Sequence, residues 1–225
     1  MNELAQKLIE ELQCETVFTI PVLGGIPVSE AVVVTWIIMA VLVIAAFILT
    51  RNLKVDHISK RQAVAESIVT GLMNMVQGMV GEKGRKYVPY LTTVMLYIGV
   101  SNIIGLFGFK SPTKDLRVTV ALALMSIILI EAAGIYHKGV KRWLHGFVEP
   151  VAIVTPINIL EVVTKPLSLC MRLFGNVLGA FVIMELLKMI LPVGLPVVFS
   201  LYFDIFDGLL QAYVFVFLTS LYIDE

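Results

Sequence analysis

The sequence predicts an all-α integral membrane protein of about five transmembrane helices plus an interfacial amphipathic helix, the last two spans being long, tilted and paired as a hairpin. Three observations carry this. Of 225 residues, 58% are hydrophobic and only 15% charged, too apolar for a chain that must cover a soluble surface with polar groups. The mean hydropathy of +0.91 points the same way. The apolar residues also gather into runs of roughly 20 or more, the length that crosses a hydrocarbon core of about 30 Å. The formal net charge is zero and so names no partner. Lys and Arg sit mainly in short loops, without the basic stripe and interleaved aromatics of a nucleic-acid surface, so no nucleic-acid partner is expected.

Residues 1–27 form an amino-terminal segment, acidic where a signal peptide would be basic and without a small-residue cleavage site, and it reads as retained. Val28 to Thr50 is the first span and stops at Arg51-Asn-Leu-Lys54. Ala63 to Val80 is apolar on one side but interrupted by Glu66, Asn74, Gln77 and glycines, so it is expected along the inner interface or packed on other helices rather than spanning. Tyr87 to Phe109 and Leu116 to Tyr136 are the second and third spans. Pro156 to Leu191 and Pro196 to Ile223 are the last two, separated by Pro192-Val-Gly-Leu-Pro196, which closes a hairpin but cannot continue a helix. At helical rise these two would reach roughly 54 Å and 42 Å, so strong tilt or a break near Pro166 is expected. With no repeat and no long linker, residues 1–225 read as a single membrane domain.

Orientation follows from the loops. Arg51, Lys54, Lys60, Arg61, Lys83, Arg85, Lys86, Lys138, Lys141 and Arg142 fall on one side, against Lys7, Lys110, Lys114 and Arg117 on the other. The positive-inside rule then puts the amino terminus outside and the carboxy terminus in the cytoplasm.

The informative polar residues lie inside the last two spans. Glu161, Lys165, Ser168, Arg172, Asn176 and Gly179 fall within a wedge of roughly 80° on one helix. Arg172 is permanently charged, and a charge at that depth costs anywhere from about 2.5 to 17 kcal/mol in lipid, so it must face a partner, water or a counter-charge. Glu161 is the only acid in its wedge, roughly 16 Å away along the axis, and the counter-charge is therefore expected from another subunit. Phe181, Glu185 and Lys188 lie on the opposite side of the helix, toward the rest of the chain. On the last helix Asp204, Asp207 and Gln211 share a face. Counted from the hairpin near Gly194, Glu185 and Asp204 reach similar depth and Gln211 comes near Arg172.

Plainer readings compete. Asp207 could be an exposed residue at a tilted helix end, Lys188 could snorkel or pair with Glu185, and Glu161 with Lys165 is an ordinary i,i+4 pair. Asn102, just inside the outer end of the second span, reads more as a helix contact than a relay, although it stands among the ion-path candidates; Glu131 reads as a cap for Lys138. Cys14 and Cys170 stand in unlike contexts that suit neither a disulfide nor a metal pair, and His57, His137 and His145 lack a second ligand at metal spacing. No cofactor or metal is expected, and no nucleophile elbow or phosphate loop marks an enzyme.

The run Lys165-Pro-Leu-Ser-Leu-Cys-Met-Arg-Leu-Phe-Gly-Asn176 resembles the signature of the subunit a family of rotary F-type ATP synthases. Gln211 to Tyr222 resembles that family's carboxy-terminal helix, and Ser111 to Thr119, with Asp115, its outer loop before the third span. The resemblance implies a non-catalytic stator subunit in a bacterial plasma membrane, partnered by a ring of c subunits, peripheral-stalk b subunits and the rest of the synthase, and carrying H⁺ or Na⁺. It implies that Arg172 faces the ring's carboxylates between two offset half-channels, with Asn176 and Gln211 beside it and Asp204 in the outer half-channel. The sequence departs from the family at Phe181, where many members carry Glu or His, and at Arg117, where some carry Asn; Glu185, one turn beyond Phe181, is the expected substitute. The alternative, an independent secondary transporter or channel, would normally show an inverted repeat or matching broken helices, and neither is seen. A structural anchor would gain nothing from a charge at Arg172.

Overall fold

The computed structural model describes residues 16–20, 26–51, 59–81, 84–107, 109, 111–146, 155–190 and 194–224. Cys14, Lys54, His57, Lys83, Lys110 and residues 192–193 of the 192–196 connection lie outside these residues.

Two short antiparallel strands come first, β1 (Thr16–Ile20) and β2 (Ile26–Ser29), with Phe18 opposite Val28 and Ile20 opposite Ile26. Helix α1 (Glu30–Thr50) follows directly. Its buried positions, Ala31, Val34 and Ile38, are confined to its first half, and beyond them side chains such as Val43 (67% exposed) and Phe47 (66% exposed) stand uncovered. In water such a surface would aggregate; a helix of this length and composition belongs in lipid.

Helix α2 (Lys60–Val80) is capped by Ser59, whose hydroxyl accepts from the backbone N–H of Gln62, and ends at Gly81 with φ +69°. Its buried apolar side chains lie in its last turns: Val76 and Val80 close on Val88 and Leu91 of α3 (Val88–Ile103) and on Val216 of the last helix. Helix α3 tightens into a 3₁₀ turn, Ile104–Phe107, and a second such turn, Pro112–Lys114, leads into α4 (Leu116–Lys138). Asp115 caps α4, accepting from the backbone N–H of Arg117 at 2.9 Å, while its other oxygen accepts from the Ser29 hydroxyl at 3.0 Å. The amino-terminal strands are thereby tied to the α3–α4 connection. Gly139, at φ +76°, stops α4, and a short α5 (Val140–Gly146) follows.

Helix α6 (Thr155–Ile190) is 36 residues long. It runs unbroken through Pro166, since proline removes a single donor; of the two alternatives, tilt or a break, the break is not observed. After Gly194 (φ +89°), α7 (Leu195–Ser200) passes into a π-helical stretch, Leu201–Asp207, and then α8 (Gly208–Asp224). The core is built where α3, α4, α6 and α8 meet, through Val94 and Ile98, Leu122 and Ala123, Leu169, Cys170 and Leu173, and Ala212 and Phe215.

Among the described residues six helices, α2 included, are long and apolar enough to cross a membrane by length and composition, in keeping with the expected five spans plus one interfacial helix. The α2 segment qualifies only narrowly, with a hydropathy of 1.2 against 3.1 for α1, because Glu66, Asn74 and Gln77 dilute it. The strands at 16–29 were not anticipated, although Gly24-Gly25 between β-branched runs is a turn signal. The chain is a multi-pass membrane protein.

Candidate functional site

Helix α6 carries two opposed functional faces. On one, Leu169, Cys170 and Leu173 are buried against α4 and α8, which leaves Ser168, Arg172, Gly175 and Asn176 exposed beside them. Arg172 lies 17 residues from Thr155 and 18 from Ile190, so about 26 Å of helix separates it from either end. No described residue gives its guanidinium a hydrogen bond or ion pair. Glu161, the one acid in its wedge, is held by Lys165 at 3.2 Å, and the Lys165 ammonium also lies 5.1 Å from the centre of the Tyr222 ring.

The other face looks into the chain. Phe181, Glu185 and Lys188 of α6 line a cavity of about 370 Å³ together with Asp204, Asp207 and Gln211. Asn102, Ser111, Lys114 and Ser200 contribute the rest of its polar wall. Lys188 pairs with Glu185 at 2.7 Å, as one plain reading held. Ser200 donates to Asp204 at 2.7 Å, and the Gln211 amide reaches Asp207 at 3.5 Å. Both contacts span four residues, and the π-helical stretch between them adds a residue to the turn, which changes the bearing of Asp204 relative to Asp207. Gln211 is buried and turned toward Asp207, whereas Arg172 is exposed and does not line the cavity. The structure therefore brings Glu185, Asp204, Asp207 and Gln211 together and leaves Arg172, Asn176 and Glu161 on a separate, uncovered face.

A buried hydrogen-bond chain forms the cavity's edge. The Asn102 side-chain N–H donates to the Gly208 carbonyl at 2.9 Å, and Thr113 donates to the Asn102 carbonyl oxygen at 2.8 Å. Since a backbone carbonyl only accepts, the amide nitrogen must face Gly208, which fixes the oxygen toward Thr113. Two glycines permit the close approach. A side chain at Gly208 would come within 2.7 Å of the Asn102 Cβ, and one at Gly105 within 3.3 Å of an Asp204 oxygen. Asn102 thus acts as a helix contact, as its position suggested. Glu131 also has a partner that the sequence did not suggest: it accepts from the Trp143 indole at 3.0 Å, because α5 folds back against α4.

The model for the family "ATP synthase A chain" matches residues 32–224, which takes in the Arg172 face and the whole acid-lined cavity. The chain belongs to this family. It is similar to "ATP synthase subunit a" of Moorella thermoacetica, 36% identical over 203 residues that cover 89% of this chain and 92% of that one. It is also similar to the sodium ion specific "ATP synthase subunit a" of Propionigenium modestum, at 34% identity over 88% of this chain and 74% of that protein. A third relative, "ATP synthase subunit a 1" of Crocosphaera subtropica, is 30% identical over 88% of this chain and 86% of its own.

Within this family member, sequence reasoning missed Ser200 and Lys114, which line the cavity, and Thr113, which holds Asn102 at its edge. Ser200, which donates to Asp204, was detectable from its i,i+4 spacing. Thr113 carried no signal, since its role depends on a contact with Asn102 eleven residues away. Lys114 was read only as one more outer-loop cation, yet its ammonium lies 4.0 Å from the centre of the Phe181 ring.

Proposed function

We propose that this chain is the ion-translocating stator subunit of a rotary ATP synthase. The observation that carries the reading is Arg172, a permanent cation halfway along a 36-residue membrane helix, exposed and without a described partner in its own chain. Such a charge is tolerable in a bilayer only beside something that compensates it. A ring of c subunits presenting carboxylates would do so, and each ring acid would release its cation as the guanidinium nears, since an adjacent opposite charge favours the ionised form. The same fixed charge would repel a cation attempting to cross directly. Glu185, Asp204, Asp207 and Gln211 would line one half-channel, bordered by Asn102 and by the loop of Asp115. Asn176 would flank the arginine and Glu161 would serve the opposite half-channel.

This role involves no ATP chemistry, which would reside in other subunits, with b subunits of the peripheral stalk holding the chain against the turning ring. The location would be a bacterial plasma membrane, the amino terminus outside and the carboxy terminus cytoplasmic, with α2 along the inner interface as part of one membrane domain. The carried ion would be H⁺ or Na⁺.

The test is Arg172→Ala in the complete complex reconstituted in vesicles. ATP-driven ion uptake should vanish while the complex still assembles. Uptake that persisted would refute the proposed role.

A further inference from the structure

We propose that Lys114 is a tethered cation that sets how readily the transported ion enters the acid-lined cavity, a role that rests on the ion-path reading above. The turn that presents it is held from every side. Pro112 and Thr113 are fully buried, and Ser111 and Asp115 nearly so. Thr113 donates to Asn102, Ser111 contacts Thr113 at 2.7 Å and donates to the Ser101 carbonyl at the same distance, and Asp115 is fixed by Ser29 and by the start of α4. A lysine on such a turn has a placed origin, and its side chain crosses to α6, where the ammonium rests 4.0 Å from the Phe181 ring centre. An aromatic face attracts a cation and gives it a seat away from bulk water.

That seat is inside the cavity. Phe181 lies seven residues inward of Lys188, about 10 Å along the axis. Among the described residues the charged groups facing the space are Lys114 from the turn, Lys188 and Glu185 from α6, and Asp204 and Asp207 from the π-helical stretch. Glu185 already neutralises Lys188 at 2.7 Å. Lys114 brings a second positive charge into the space that the two aspartates line. A proton or Na⁺ approaching them meets a like charge, which lowers its occupancy of the cavity and favours its release onward. The aromatic residue at position 181 supplies no protons; it seats the cation beside the path.

The measurement is ATP synthesis by the complete complex in vesicles, as a function of H⁺ or Na⁺ concentration on the side of the 112–114 turn. Lys114→Gln should lower the half-saturating concentration by about fivefold or more. Lys114→Cys should do the same, and aminoethylation of the assembled complex, which restores a positive charge, should return it toward the wild-type value, whereas a neutral methylthio adduct should not. The wild-type chain treated alike reports any effect of Cys14 and Cys170. A Lys114→Gln curve that overlays the wild type, or charged and neutral adducts that behave alike, overturns the proposal. Arg172→Ala separates the two readings: transport surviving that change removes the stator role itself, whereas an unshifted Lys114→Gln beside an inactive Arg172→Ala removes only Lys114.

Discussion

At the scale of single residues, the contrast between Arg172 and the acids is the main chemical fact. The guanidinium is uncovered, while Asp204, Asp207 and Glu185 each hold a partner inside the cavity. Asp204→Asn should keep the hydrogen bond from Ser200 but lose the charge, and ATP-driven ion uptake should fall by about tenfold or more. Glu185→Gln should reduce the same rate while leaving Lys188 without its counter-charge; a rate equal to wild type would mean that Glu185 does not stand in for the position held by Phe181. These residues were legible because an ionisable side chain within an apolar run is conspicuous in the sequence. Their partners were less so. Depth alone placed Gln211 near the height of Arg172, and its hydrogen bond to Asp207 could not be read in that way, because depth fixes height along the membrane normal but not the direction in which a side chain turns.

At the scale of elements, the close approach of α3 to α8 depends on side chains that are absent. Gly208→Val would drive a branched side chain into the Asn102 Cβ and should cost about 1–3 kcal/mol of packing, read as earlier protease cleavage of this chain in the detergent-solubilised complex. Asn102→Leu should strand the Thr113 hydroxyl and the Gly208 carbonyl, at a cost of about 1–3 kcal/mol by the same assay. Two helix boundaries were legible almost to the residue: the helix expected over 156–191 is observed over 155–190, and Leu116 opens α4, since proline and polar residues mark the ends; α3, by contrast, ends at Ile103 where an apolar run to Phe109 was expected. The π-helical stretch at 201–207 was not legible, because nothing local in Leu201 to Asp207 distinguishes a widened turn from an ordinary one; its neighbour is Asn102, about a hundred residues earlier.

For the whole molecule, the open question of α2 becomes a countable one. If α2 lies along the interface, five crossings place the termini on opposite sides; if it crosses, six place them on the same side. Cysteines introduced one at a time at Asn2 and Glu225, in intact cells probed with an impermeant thiol reagent, should be labelled at residue 2 and protected at residue 225. Labelling of both would make α2 a sixth span. Helix packing shows why the sequence alone was divided on this segment: Val76 and Val80 are its only buried apolar side chains among the described residues, Gln62 is buried at its start, and the rest of α2 carries a largely exposed mixture of apolar and polar side chains that suits an interface.

The bare stripe along α6 also bears on how the cell must handle the newly made chain. A subunit released into lipid alone would confront the acyl tails with an uncompensated guanidinium and a row of small polar side chains, a state whose free energy falls once a carboxylate-bearing neighbour docks. Survival of the orphan polypeptide is thereby coupled to the supply of its neighbour. Synthesis in excess of that supply would feed membrane proteases instead of accumulating idle, ion-leaking subunits.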